Sequence, residues 1–167
     1  MKTFILIFIA FSASVSFKIT STSFTGNEMI PTKYTCDGDN ISPNLHFKTL
    51  PEGTKTLAII MHDPDASMKG GFTHWVVWNI DPELDIPENF KGGEQGMNGA
   101  NKEGYTGPCP PGGTHHYHFN VYALDAKLNL DKNTNKEMLE NAMKGHILEK
   151  GKITGLYKKK VVMSVTK

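Results

Sequence analysis

Seven histidines and a close pair of carboxylates, Asp63 and Asp65, are the groups of this 167-residue chain best suited to acid–base or anion chemistry near neutral pH. Three of the histidines sit in one run, His115-His116-Tyr117-His118; His74 stands near the start of the apolar stretch 72–80, and Asp63 follows the apolar run Leu57–Met61. A carboxylate beside an imidazole fixes its tautomer and favours its charged form. Two imidazoles and a phenol together offer hydrogen-bond donors to an oxyanion. All 18 basic residues are lysine, so an anion held here is gripped by imidazole, ammonium, hydroxyl or backbone N–H groups and never by a guanidinium fork.

Each group also has a plainer reading. Asp63-Pro64-Asp65 suits a turn whose carboxylates cap backbone N–H groups, and a histidine on an apolar face can be a satisfied core residue. A metal cluster in His115–His118 is disfavoured because residues 115 and 116 point to opposite faces of a strand, which leaves at most two ligands per face. No Gly-x-Ser-x-Gly, P-loop or Gly-x-Gly-x-x-Gly occurs, so neither a catalytic nucleophile nor a cofactor is expected.

The elements that must position these groups are mainly strands. Leu57–Met61 is a continuous apolar run, as expected for a strand buried on both faces, and 72–80 and 116–124 read as two more, rich in Trp, Val and aromatic residues. Alternation puts His115 and Tyr117 on one face with Phe119, Val121 and Ala123, while His116, His118 and Asn120 point the other way. The same counting puts His74 with Val76, Trp78 and Ile80. If the three strands share a sheet or face one another, Asp63, His74, His115 and Tyr117 converge at one end. Residues 91–114, dense in Gly and Pro, read as a long ordered loop that could wall such a pocket. One helix is expected from the capping-box form Thr134-Asn135-Lys136-Glu137, with Met138, Leu139, Ala142, Met143 and Leu148 on one face and Gly151 as its stop. Closing strands are expected at 152–157 and 161–165.

Lys2 followed by the apolar run Phe4–Phe11 and then small residues has the layout of a signal peptide over 1–16, too short to span a membrane comfortably. The rest, 17–167, reads as one domain, periplasmic or secreted, with no transmembrane segment. Without Lys2, 17 basic residues face 17 acidic ones, and this neutral chain without a basic cluster is not expected to bind nucleic acid. The two cysteines, Cys36 and Cys109, suit a disulfide in an exported protein; two buried thiols are the alternative.

Several segments taken in order carry a family resemblance: Thr35-Cys36-Asp37-Gly38 with Ser42-Pro43, Asp63-Pro64-Asp65-Ala66, His74-Trp75-Val76-Val77, Gly107-Pro108-Cys109-Pro110-Pro111 and His115-His116-Tyr117-His118-Phe119. Together they resemble the phosphatidylethanolamine-binding protein family, most closely its bacterial, Raf kinase inhibitor-like branch. The resemblance implies an antiparallel fold of two packed sheets with few helices, and a pocket for phosphate-like anions or phospholipid head groups. Its pocket residues would be Asp63, His74, His115 and Tyr117, with Gly107, Cys109 and Pro110 in the loop wall. Two positions depart from the family pattern: Ser67 stands where a proline is usual, and His116 where an arginine is. The expected function is therefore a non-enzymatic binding protein. A protein inhibitor of a kinase or protease is a second reading implied by the family, and a hydrolase with His74 or His115 as general base is a third.

Overall fold

Branched and aromatic side chains crowd the segments 56–63 and 72–80 so densely that both are covered on two faces, and with the alternating segment 115–124 they form the centre of the molecule. The computed structural model describes residues 17–159. Its strands are β1 (Ile19–Thr20), β2 (Leu45–Phe47), β3 (Thr56–Asp63), β4 (Phe72–Ile80), β5 (Asp85–Ile86), β6 (Glu94–Gln95), β7 (His115–Leu124) and β8 (Ile147–Tyr157). A 3-10 turn spans Thr32–Tyr34, and one helix, α1, spans Lys136–Ala142.

All strand pairings are antiparallel. A five-stranded sheet runs β6-β4-β3-β7-β8, and a three-stranded sheet runs β1-β2-β5. The main core fills the space between the sheets: Ile19, Leu45, Phe47 and Ile86 of the small sheet meet Leu57, Ile59, Met61, Trp75, Val77, Tyr117, Phe119 and Val121 of the large one. On the other face of the large sheet Ala58, Ile60, Val76 and Trp78 pack under Leu128, Leu139 and Met143, so α1 and the 124–130 segment cover it. This double coverage is why β3 reads as an unbroken apolar run.

Three local expectations are corrected. The helix ends at Ala142 instead of running to Gly151, because Gly145 adopts φ +83° and the chain beyond it pairs with β7, Ile147 opposite Leu124. Met138 and Leu148, expected on one helical face with Leu139 and Met143, are exposed whereas those two are buried. The helix cap is Asn135, whose Oδ1 accepts from Met138 N at 3.1 Å, and not Thr134. The 91–114 loop contains the short strand β6 and follows the outer edge of β4, with Gly96 N donating to Val76 O and Thr106 N to His74 O. The segments 1–16 and 161–165 lie outside the described residues.

Candidate ligand-binding site

The ends of β3, β4 and β7 meet at one edge of the large sheet, and the 106–111 loop closes over them. Between them lies a cavity of about 220 Å³ lined by Asp63, His74, Gly107, Cys109, Pro110, His115 and Tyr117, the seven residues expected from the sequence. Ala66, Ser67, Met68, Phe72, Thr106 and Pro111 complete its wall: Thr106 and Pro111 belong to the 91–114 loop expected there, Ser67 is the position where the family pattern has proline, and Ala66, Met68 and Phe72 carry no site signal in the sequence. Met68 and Phe72 flank the turn that joins β3 to β4. A larger groove of about 640 Å³ lies between residues 18–27 and 152–154. Its lysines are surface groups, whereas the smaller cavity contains the only buried carboxylate and imidazole among the described residues, Asp63 and His74.

His74 reaches the cavity by a route that simple alternation misses. Met61 pairs with Trp75 and His62 with Thr73, so His74 is an extra residue in β4, a bulge that reverses the parity of the strand. Counting alone places His74 with Val76 and Trp78 under α1. The bulge instead turns its ring toward the main core, 5.2 Å from the Tyr117 ring and 4.7 Å from the Phe72 ring, both edge-on. The opposing turn is equally constrained: Gly71 has φ +78°, and a Cβ there would collide with the Asp63 carbonyl oxygen.

Three of the polar groups in the cavity, Asp63, His74 and His115, are held from behind. His115 Nδ1–H donates to Asp63 Oδ2 at 2.7 Å, which directs Nε2 away from the carboxylate. Asp63 Oδ1 accepts from Asp65 N at 2.8 Å, so this acid serves both as turn cap and as partner to the imidazole. His74 Nδ1 lies 2.7 Å from the Thr106 carbonyl; a carbonyl only accepts, so the hydrogen is on Nδ1 and Nε2 carries the lone pair. Burial pushes the His74 pKa down to about 4, against the opposing effects of the Thr106 carbonyl and the Asp63 charge, so His74 is neutral at pH 7. Tyr117 is fully buried, and its hydroxyl has no hydrogen-bond partner among the described residues. Burial, and secondarily the nearby Asp63 charge, raises its pKa well above that of an ordinary phenol, so it remains a donor.

The two histidines at the start of β7 diverge as alternation requires. His116 leaves the cavity and binds Asp65: its backbone N and its Nδ1 both meet Asp65 Oδ2, at 2.8 and 2.7 Å. These bonds hold the Asp65 carboxyl below the usual carboxylate range. An imidazole thus hydrogen-bonds the carboxylate at the position where the family resemblance implies an arginine. Cys109 in the loop wall is joined to Cys36, with Cα atoms 5.4 Å apart, so the two thiols form a disulfide.

The phosphatidylethanolamine-binding protein profile matches residues 20–158, nearly all of the described fold. The chain belongs to the phosphatidylethanolamine-binding protein family. Among members of this family it is 48% identical over 157 residues to a UPF0098 protein of Pyrococcus horikoshii, covering 87% of this chain and 78% of that one. A UPF0098 protein of Pyrococcus abyssi is also 48% identical, over 151 residues and 84% of each chain. Among solved structures, the phosphatidylethanolamine-binding protein homologue CT736 of Chlamydia trachomatis superposes with a TM-score of 0.83 at 38% identity, covering 87% of this chain and 99% of its own. Escherichia coli YbcL, a new member of the mammalian PEBP family, gives 0.81 at 32% identity, with the same coverage. The mainly β, two-sheet architecture expected from the sequence is therefore that of the family.

Proposed function

We propose that this member of the phosphatidylethanolamine-binding protein family holds a small anionic head group, a phosphate or the phosphoryl end of a phospholipid, in the cavity of Asp63, His74, His115 and Tyr117, without transforming it. The single observation that carries this reading is the Tyr117 hydroxyl: a fully buried donor with no partner beside a cavity with room for a ligand. An unmade buried hydrogen bond costs about 1–3 kcal/mol, and a ligand oxygen that displaces the atoms covering the hydroxyl recovers it. Among the described residues no lysine lines the cavity, so the grip relies on oriented donors, Tyr117 O–H and His115 Nε2–H when that ring is charged. The apolar wall of Met68, Phe72, Pro110 and Pro111 suits the carbon part of an amphiphilic head group.

The reading as a binder and not a hydrolase is supported by how the potential nucleophiles are used. Cys109 is committed to the disulfide, and among the described residues no hydroxyl is hydrogen-bonded to His115. The same disulfide supports export to an oxidising compartment, periplasmic or extracellular, with 1–16 as the signal.

Calorimetric titration with phosphorylethanolamine and with inorganic phosphate tests the proposal on the parent protein, Tyr117→Phe and Asp63→Asn. Saturable binding is expected in the parent, about tenfold weaker in Tyr117→Phe, which removes one donor. Equal affinity in parent and Tyr117→Phe refutes the assignment and leaves the outer surface, with a protein target, as the functional region.

A further inference from the structure

The motif at 35–43 contributes no side chain to the cavity except through the disulfide, yet it packs directly behind the cavity wall. Tyr105 Oη–H donates to the Tyr34 carbonyl at 2.8 Å, Cys36 N–H donates to the Pro108 carbonyl at 3.1 Å, and Cys36 is bonded to Cys109. Within this contact one peptide group is held at both ends. The Thr106 carbonyl accepts from His74 Nδ1–H at 2.7 Å, and the N–H of the same peptide, that of Gly107, donates to Asn40 Oδ1 at 2.7 Å.

We propose that Asn40, outside the cavity, is a positioning residue that fixes the orientation and tautomer of His74 through the Thr106–Gly107 peptide. The peptide is planar, so its N–H and C=O point in opposite, rigidly related directions, and anchoring one end aims the other. Donation from its N–H also makes its carbonyl a stronger acceptor, because hydrogen bonds in a chain polarise one another.

The backbone is arranged around this link. Asn40 adopts φ +56°, a left-handed conformation that Asn tolerates better than most residues, and its own N–H donates to the Lys33 carbonyl at 3.1 Å. Gly107 has to be glycine for the approach: a Cβ there would lie 2.6 Å from the Tyr34 carbonyl oxygen and 2.7 Å from Asn40 Oδ1. Thr106 is pinned from the other side by the buried Asn98, whose Nδ2 donates to Thr106 Oγ1 at 2.9 Å. Asn40 is an exposed residue, where a substitution would ordinarily pass unnoticed. Without its oxygen, the Gly107 N–H turns to water, the peptide is free to tilt, and the Thr106 carbonyl no longer selects the Nδ1–H form of His74.

Two substitutions separate the bond from the backbone. Asn40→Gly keeps the left-handed conformation and deletes the acceptor; Asn40→Asp keeps an acceptor oxygen in place. Long-range imidazole 15N spectra of the ligand-free proteins at pH 7 read the His74 tautomer directly. The parent and Asn40→Asp are expected to show hydrogen on Nδ1 alone, and Asn40→Gly a mixture of both tautomers. Phosphorylethanolamine should bind Asn40→Gly about fivefold more weakly, with the affinity restored in Asn40→Asp. A pure Nδ1–H signature in Asn40→Gly, or a failure of Asn40→Asp to restore it, overturns the proposal. A loss of melting temperature in Asn40→Gly with an unchanged tautomer would mean that Asn40 only braces the loop, and overturns it as well. Only the affinity measurement rests on the ligand-binding reading above: if the parent binds no phosphorylethanolamine, that reading fails and the tautomer result still decides this one.

Discussion

Lowering the pH from 6.5 to 4 leads the unfolded chain to take up a proton at His74 that the folded chain refuses. The ring is buried between Phe72 and Tyr117, and burial moves its pKa from 6.5 down to about 4. A base whose folded pKa is depressed contributes stability that is complete above its unfolded value and is lost as the pH falls through its folded one. The gap corresponds to about 3 kcal/mol. For a domain of this size, that is a fall in Tm of about 10 °C across the window. His62 and His118 are also lowered, chiefly by burial, and steepen the same profile. The effect of His74 is isolated by comparison with His74→Asn, whose amide nitrogen can still donate to the Thr106 carbonyl and does not titrate. Thermal unfolding between pH 4 and 7.5 should show the parent losing about 10 °C more than the variant, while the contributions of the other histidines cancel in the difference. Parallel profiles for the two proteins would refute the claim that His74 is held neutral by burial.

Three other outcomes follow from the same geometry. Tyr117→Phe should raise the stability of the ligand-free protein by about 1 kcal/mol, since it deletes a buried hydroxyl without a partner; chemical denaturation measures this, and a loss of stability would show that the hydroxyl is satisfied. Reduction of Cys36–Cys109, which closes a long loop with a sequence separation of 73, should cost about 4 kcal/mol and lower Tm by about 10–15 °C, and an unchanged Tm under reductant would contradict the bond. Gly107→Ala places a Cβ against the Tyr34 carbonyl and Asn40 Oδ1 and should destabilise by about 2 kcal/mol; a neutral result in urea unfolding would mean that the wall gives way.

Much of the site was legible in the sequence because its residues stand where strong local patterns end. Asp63 closes an apolar run, and His115 and Tyr117 open an alternating one, so their faces and their common edge follow from strand periodicity. Alternation assigns His74 to the face under α1, and only the bulge at His74, defined by the pairing of β4 with β3, turns it into the cavity. The helix was read too long because Leu148 continues a helical spacing; pairing of 147–157 with β7 outweighs that local preference once Gly145 breaks the helix. Strands β1, β2 and β5 are two or three residues long and exist by virtue of their partners, so no segment of the sequence announces them. Asn40 was invisible for a different reason. Its contribution passes through a backbone peptide of another loop, a relation with no trace in side-chain pattern.

The central claim, that the cavity is an anion site, is tested most directly by following the imidazole resonances of His74 and His115 while the folded protein is titrated with phosphate and phosphorylethanolamine. An anion beside an imidazole favours its charged form, so saturable shifts should appear at both rings, and the His74 midpoint should move upward from about 4. Silence at both histidines over the full titration would contradict the account.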